Sequence, residues 1–313
     1  MRIVFMGTPE FAVPSLAALL SAGEEVAAVV TQPDRPAGRG QKLAESPVKR
    51  FARQHNIPVL QPEKIRQATA LDMIHELAPD LLVVAAYGQI LPQRLLDIPR
   101  IAPLNVHASL LPRYRGAAPI HWAIINGEQE TGITIMRIVY RLDAGDILCR
   151  CSEAIGPDDT AGSLHDRLKD LGAACLLRAL ESIRRGDATY TPQDESLATY
   201  APQLRRADAR LDWRWPVARC HDFVRGLHPW PVAFTTFRGQ NCKIHRAEPG
   251  DAPPPIRSDG PPGQLDATAG RLHVRCGDGR WLHVERLQMP DRAPVSGTDF
   301  INGWRPRQED RFV

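Results

Sequence analysis

At 313 residues the chain is long for a single core and sufficient for two domains. Its 43% hydrophobic and 24% charged residues have the balance of a globular protein, and no run approaches the roughly 18–20 apolar residues of a membrane span. A net charge of +3 is too small to imply a nucleic-acid partner from the total alone.

The chain opens on "RIVFMG", a strand pattern lacking the charged n-region, h-region and cleavage site of a secretory leader, so a cytoplasmic protein is expected. "VPSLAALLSAG" has helical spacing closed by Gly23, and "EEVAAVVTQ" is a second strand. "TQPDRPAGRGQKL" is too rich in Gly and Pro for a helix and reads as a surface loop. "SPVKRFARQHN" is a helix opened by Ser46, with Pro47 in its first turn. "IPVLQP" is a short strand, "LDMIHELAP" a helix, and "DLLVVAAYG" and "APLNVHAS" are further strands. Continuous Val, Leu and Ile runs separated by helices predict a doubly wound, mostly parallel α/β sheet. "TGITIMRIVYRLDAGDILCRC" breaks the rhythm and predicts two antiparallel strands joined by a polar turn. "TAGSLHDRLKDLGAACLLRALESIRRG" predicts a long helix with Gly172 inside it and Gly186 ending it.

After Gly186 the pattern changes. Residues 187–213 are polar and weakly patterned, as a linker would be. One helix, "PVARCHDFVRGL", and short alternating segments separated by Gly turns predict a smaller antiparallel barrel. "PGDAPPPIRSDGPPG", residues 249–263, reads as a Pro-rich loop.

The six Cys form no CxxC pair, and the 10 His include no HExxH, so reduced thiols and no metal are expected. The positive excess lies in residues 190–313, with 18 Lys and Arg against 15 Asp and Glu; residues 1–189 are balanced. The densest local charge spans residues 35–53, where Arg35, Arg39, Lys42, Lys49, Arg50 and Arg53 meet only Glu45.

The chemistry concentrates in "LNVHASLLPRYRGAAPI". In open α/β sheets ligands bind beyond the carboxyl ends of the strands, where strand order reverses. Strand alternation puts Asn105 and His107 on one face and Val106 on the other. A lone His is more often a surface or satisfied core residue; the Asn-x-His spacing at a strand exit weighs against that here. Asp143, in the turn "RLDAGD", would ordinarily bond only its own backbone. It acquires a role if its carboxylate reaches His107. Ser109 lies nearby, but GxSxG is absent and nothing marks it as activated. Asn, His and Asp without a nucleophilic Ser or Cys suit direct attack of a substrate amine on an activated acyl group. Such a reaction needs an oxyanion donor and a proton-handling group rather than a covalent adduct.

"NVHASLLPRYRGAAPI" followed by "RLDAGD" resembles the folate-dependent formyltransferase family. "MGTPEFAVPSL", "TQPDRPAGRGQKL", "SPVK", "AAYGQILP", "ETGITIM", "TYAPQL" and "HPWPVAF" extend the likeness over most of the chain, in the order found in the branch acting on initiator tRNA. The resemblance implies Asn105, His107 and Asp143 as the catalytic set. It implies 10-formyltetrahydrofolate as donor co-substrate, near Ser109, Leu110, Leu111 and Pro112, with "AAYGQILP" as another wall. The implied acceptor is the α-amino group of methionine on initiator tRNA, with Arg39 and Lys42 of the basic loop contacting the tRNA. It also implies a Rossmann-like catalytic domain over 1–189, a linker over 190–208 and an OB-like tRNA-binding domain over 209–313; a monomer is expected. The chain departs from the family pattern at Ala108 and Ala144, outside the three catalytic side chains.

Other readings are weaker. A sugar-nucleotide formyltransferase or a deformylating hydrolase would not need the basic loop and the barrel. A nicotinamide-dependent oxidoreductase would need GxGxxG where "MGTPEF" stands. An RNA-binding module without activity would have no use for an intact Asn105, His107 and Asp143.

Overall fold

The computed structural model describes residues 1–37, 42–250, 260–267, 270–307 and 309–313. Two compact units result, the first comprising Met1–Pro119, Thr131–Ala154 and His165–Ala201, the second Ile120–Glu130, Ile155–Leu164 and Pro202–Val313. The elements begin with β1 (Arg2–Gly7), α1 (Val13–Ser21), β2 (Glu25–Val30), β3 (Arg35–Ala37), β4 (Lys42–Ala44) and α2 (Pro47–Gln54). β5 (Val59–Leu60), α3 (Ala68–Glu76), β6 (Leu81–Ala85), α4 (Gln93–Leu96), β7 (Ala102–His107) and β8 (Arg115–Gly116) follow. Next come α5 (Pro119–Ile125), β9 (Glu130–Arg137), β10 (Ile147–Ala154), α6 (Ala161–Arg185) and β11 (Tyr200–Ala201). The remaining elements are α7 (Val217–Gly226), β12 (Ala233–Phe237), β13 (Gln240–Gly250), β14 (Leu265–Asp266), β15 (His273–Arg275), β16 (Trp281–Gln288), β17 (Val295–Ser296) and α8 (Gly297–Trp304).

The first unit is built on a seven-stranded sheet in the order β10-β9-β7-β6-β1-β2-β5. β5, β2, β1, β6 and β7 are mutually parallel, and β9 turns antiparallel against β7. The chain winds outward from β1 to β5, then restarts on the other side of β1 at β6. Strand order reverses there, so the carboxyl ends of β1, β6 and β7 border the crevice where such sheets take ligands. Each of these strands is buried over nearly its whole length, which is why β6 reads as an unbroken apolar run and β1 and β7 as largely apolar ones. Val4, Met6, Leu82 and Val84 pack against Leu71 and Ile74 of α3 and Leu95 of α4. On the other face α6 approaches β7 closely. A Cβ at Gly172 would sit 3.2 Å from the Val106 side chain, so this mid-helix glycine permits the contact. Val106 thus faces α6, and Asn105 and His107 face the other way.

The expected pair of strands around "RLDAGD" is present as β9 and β10, and α6 ends where Gly186 takes φ +74°. The Ser46 hydroxyl caps α2 by accepting from the Lys49 N–H at 3.1 Å. One expectation needs correction. "TQPDRPAGRGQKL" is not wholly a loop, because its flanks pair as the antiparallel strands β3 and β4. Residues 191–201, read from sequence as linker, are also paired in part with other strands. Thr191 bridges Ile147 at the start of β10, and β11 pairs in parallel with β8.

The second unit contains an antiparallel sheet in the order β12-β13-β16-β15-β14, with β17 on β16. Its two edges meet one segment, since Phe312 bridges Phe237 of β12 and Arg311 bridges Gln264 beside β14. The segment at Arg311–Phe312 therefore touches both ends of this antiparallel sheet, as the expected small β-domain would. Phe237, Phe300 and Phe312 fill its interior, with the Phe237 and Phe300 rings 5.1 Å apart. α8, which supplies Phe300, has too short a pattern to be read from sequence. Among the described residues no helix is long and apolar enough to cross a membrane.

Candidate active site

β7 delivers Asn105 and His107 to the crevice, and the β9–β10 turn delivers Asp143. The His107 ring is 6% exposed. Its Nε2 lies 2.9 Å from the Tyr114 carbonyl oxygen, which can only accept, so Nε2 carries a proton. Nδ1 faces Asp143 Oδ2 at 3.7 Å. That separation is longer than a hydrogen bond but within ion-pair range. Imidazole and carboxylate are thus adjacent, and Nδ1 is the ring atom left to gain or lose a proton. The Asn105 carboxamide is half-buried and makes no hydrogen bond among the described residues.

Asp143 adopts φ +46°, a left-handed conformation that Asp tolerates better than most residues. Its Oδ2 accepts the Gly116 N–H at 2.8 Å, and its carbonyl accepts from Gln193 Nε2 at 2.8 Å. Gly116 holds φ +118°, and a Cβ there would lie 2.8 Å from the Ala201 carbonyl oxygen, so the strand can approach only as glycine. Beside it Arg115 is 1% exposed and forms paired bonds to Glu195 at 2.9 and 3.1 Å. That pairing holds the Glu195 carboxyl below its usual range. Gly116, Arg115, Gln193 and Glu195 were not candidates from sequence. A buried arginine signals a compulsory partner, but that partner is 78 to 80 residues away.

The other sequence candidates separate by environment. Ser109 is fully buried, and its hydroxyl donates to the Arg113 carbonyl at 2.6 Å. The Leu111 N–H bonds Thr134 Oγ1 at 3.1 Å, while its side chain packs with Met136 and Ile147. Pro112 is buried and Leu110 half-buried. Of the four, Leu110 offers the most side-chain surface to a ligand. A cavity of about 550 Å³ is lined by Leu110, Leu111, Pro112 and Arg113 together with Arg150 and residues 196–199. None of Asn105, His107 and Asp143 lines it, so the cavity lies off the polar centre. Arg39 lies outside the described residues, and Lys42 opens β4. Of the Pro-rich loop, residues 251–259 are likewise outside.

Tyr87, at the β6 exit, is 2% exposed within the sheet's core, and burial pushes its phenol up to about 12. Its hydroxyl has no partner among the described residues. Tyr87→Phe should therefore leave unfolding stability within about 1 kcal/mol of the native value or raise it, as urea denaturation will read. In the second unit Glu248, His283 and Glu285 bring possible ligand atoms within 4.8 Å of one another. Arg246 pairs with Glu285, and Glu248 meets His283 at 3.3 Å.

Residues 1–180 match the family described as Formyl transferase, and residues 203–305 match Formyl transferase, C-terminal domain. The class is therefore that of the formyl transferases. The fold is also that of an N-formyltransferase from Helicobacter canadensis, solved with folinic acid and dTDP-3-aminofucose. The TM-score is 0.66 at 16% identity, covering 92% of this chain and 99% of that one. Over 307 residues, 97% of this chain and 96% of the relative, it is 49% identical to the methionyl-tRNA formyltransferase of Geobacter metallireducens. To that of Stutzerimonas stutzeri it is 48% identical over 306 residues, covering 97% and 95%. The chain belongs to the methionyl-tRNA formyltransferase family.

Proposed function

We propose that the chain transfers the formyl group of 10-formyltetrahydrofolate to the α-amino group of methionyl initiator tRNA, with Asn105, His107 and Asp143 at the reacting centre. The observation that carries this reading is the buried imidazole whose Nε2 is committed to Tyr114 and whose Nδ1 faces the Asp143 carboxylate. The methionyl amine attacks the formyl carbon directly. One carbon–nitrogen bond forms, and the tetrahedral intermediate collapses by breaking the bond to N10 of the folate. The proton lost by the amine replaces the formyl group on that departing nitrogen. Asn105 donates its carboxamide N–H to the oxyanion, and Nδ1 of His107 takes and returns the proton. Asp143 stabilises the imidazolium formed in between.

Donor binding falls to the main chain of residues 109–112, the Leu110 side chain and the β6 exit, where Ile90 is exposed. Backbone groups recognise the pterin edge, and the apolar side chains cover its ring. Every proposed residue comes from one chain, so a monomer suffices. The tRNA acceptor suits a cytoplasmic enzyme. The proposed functional division keeps the reaction in residues 1–189 and assigns 209–313 to tRNA binding, with 190–208 between them.

The deciding assay supplies 10-formyltetrahydrofolate with charged initiator tRNA, charged elongator tRNA, or an amino-sugar nucleotide. Formylmethionine recovered from the initiator tRNA alone is the expected result; formylation of the sugar nucleotide alone would overturn the reading. Arg39 and Lys42 are proposed as phosphate contacts. Arg39→Ala should weaken tRNA use and lower the slope of log K against log salt by about one unit. An unchanged slope removes Arg39 from the contacts.

A further inference from the structure

Gln193 lies in a polar stretch that sequence alone assigns to a linker, yet its side chain joins Arg115 to the 143–145 turn. The Thr191–Ile147 bridge lays residues 191–193 alongside the start of β10. From there Gln193 Oε1 accepts from Arg115 Nε at 3.1 Å and Nη2 at 2.8 Å. A guanidinium only donates, so Oε1 must face Arg115 and the amide orientation is fixed. Nε2 then donates to the Asp143 carbonyl at 2.8 Å and the Gly145 carbonyl at 2.7 Å. The residue after Arg115, Gly116, holds the Asp143 carboxylate itself. β8 therefore controls Asp143 twice, through the Gly116 N–H on its side chain and through Arg115 and Gln193 on its backbone. A left-handed non-glycine residue persists only where its surroundings over-determine it. These bonds supply that constraint at the residue whose carboxylate must stay beside His107.

We infer that Gln193, oriented by Arg115, is a positioning residue that fixes the 143–145 turn and so sets the distance between the Asp143 carboxylate and the His107 ring. This deepens the proposed reaction and rests on Asp143 acting in it. A misplacement of about 1 Å in a catalytic group can cost a hundredfold in rate.

Gln193→Glu is the discriminating change. It keeps an oxygen for Arg115 but turns the donor toward the two carbonyls into a second oxygen, which repels them. The full chain should lose kcat by about 10- to 100-fold, while KM for the donor and for charged initiator tRNA stays within about threefold, the pattern of a lost transition-state contribution. In an Asp143→Asn background the same change should cost less than about twofold in single-turnover rate, because a positioning role disappears with the group it positions. Gln193→Met, which removes both sets of bonds at similar length, reads the same quantities if the Glu variant does not fold. A native kcat in both variants overturns the inference, as does an equal loss with and without the Asp143 carboxylate, which would mean a purely structural contribution. Native turnover by Asp143→Asn alone would instead overturn the reading of Asp143 on which the inference rests.

Discussion

Asn105→Ala is expected to lower kcat by roughly 100- to 1,000-fold, or about 2.7–4 kcal/mol of barrier, while leaving donor affinity within about twofold. The split follows from where the carboxamide stands. It is half-buried at the end of a strand whose other side chains are packed, and it makes no hydrogen bond among the described residues. A polar group held there without a partner has its donors available for charge that develops during reaction. The planar formyl oxygen of the donor carries little of that charge; the tetrahedral oxyanion carries most of it. Removing Asn105 should therefore act on the transition state more than on binding. Steady-state kinetics with charged initiator tRNA, beside donor titration by fluorescence, measure both halves. An equal loss in the two would make Asn105 a substrate-positioning group instead.

What the sequence revealed was governed by how local each signal is. β1, β6 and β7 were legible because burial on both faces forces an apolar run within five or six residues. Asn105 and His107 were legible for the opposite reason, as polar residues two apart where such a run ends. Asp143 was visible as a turn residue, but its approach to His107 depends on β9 pairing with β7, a contact no pattern in "RLDAGD" encodes. The Arg115–Gln193–Glu195 cluster was not legible at all. Gln193 and Glu195 make their segment look like solvent-exposed linker, although both are occupied by a buried guanidinium. Polarity in sequence reports that a side chain needs a partner, without saying whether the partner is water. β3 and β4 were missed because Pro33, Pro36, Gly38 and Gly40 read as loop residues, and α8 because "GTDFINGW" carries glycine at two of its eight positions.

Asp143→Asn is expected to lower kcat by about 100- to 10,000-fold with little change in unfolding stability. The fold should tolerate it on two counts: Asn accepts left-handed backbone as Asp does, and its carboxamide oxygen can still accept the Gly116 N–H. The loss is specific to charge and protons. In the proposed reaction, with Nε2 already donating to Tyr114, His107 would accept the amine's proton at Nδ1, the atom that faces residue 143. A carboxylate there stabilises the doubly protonated ring. A carboxamide cannot match its charge, and its NH2 group can donate to Nδ1, holding the imidazole neutral when it must take the proton. Thermal unfolding together with kcat separates these effects. A stable variant turning over within about threefold of native would mean that proton transfer bypasses the pair and that His107 works without the carboxylate.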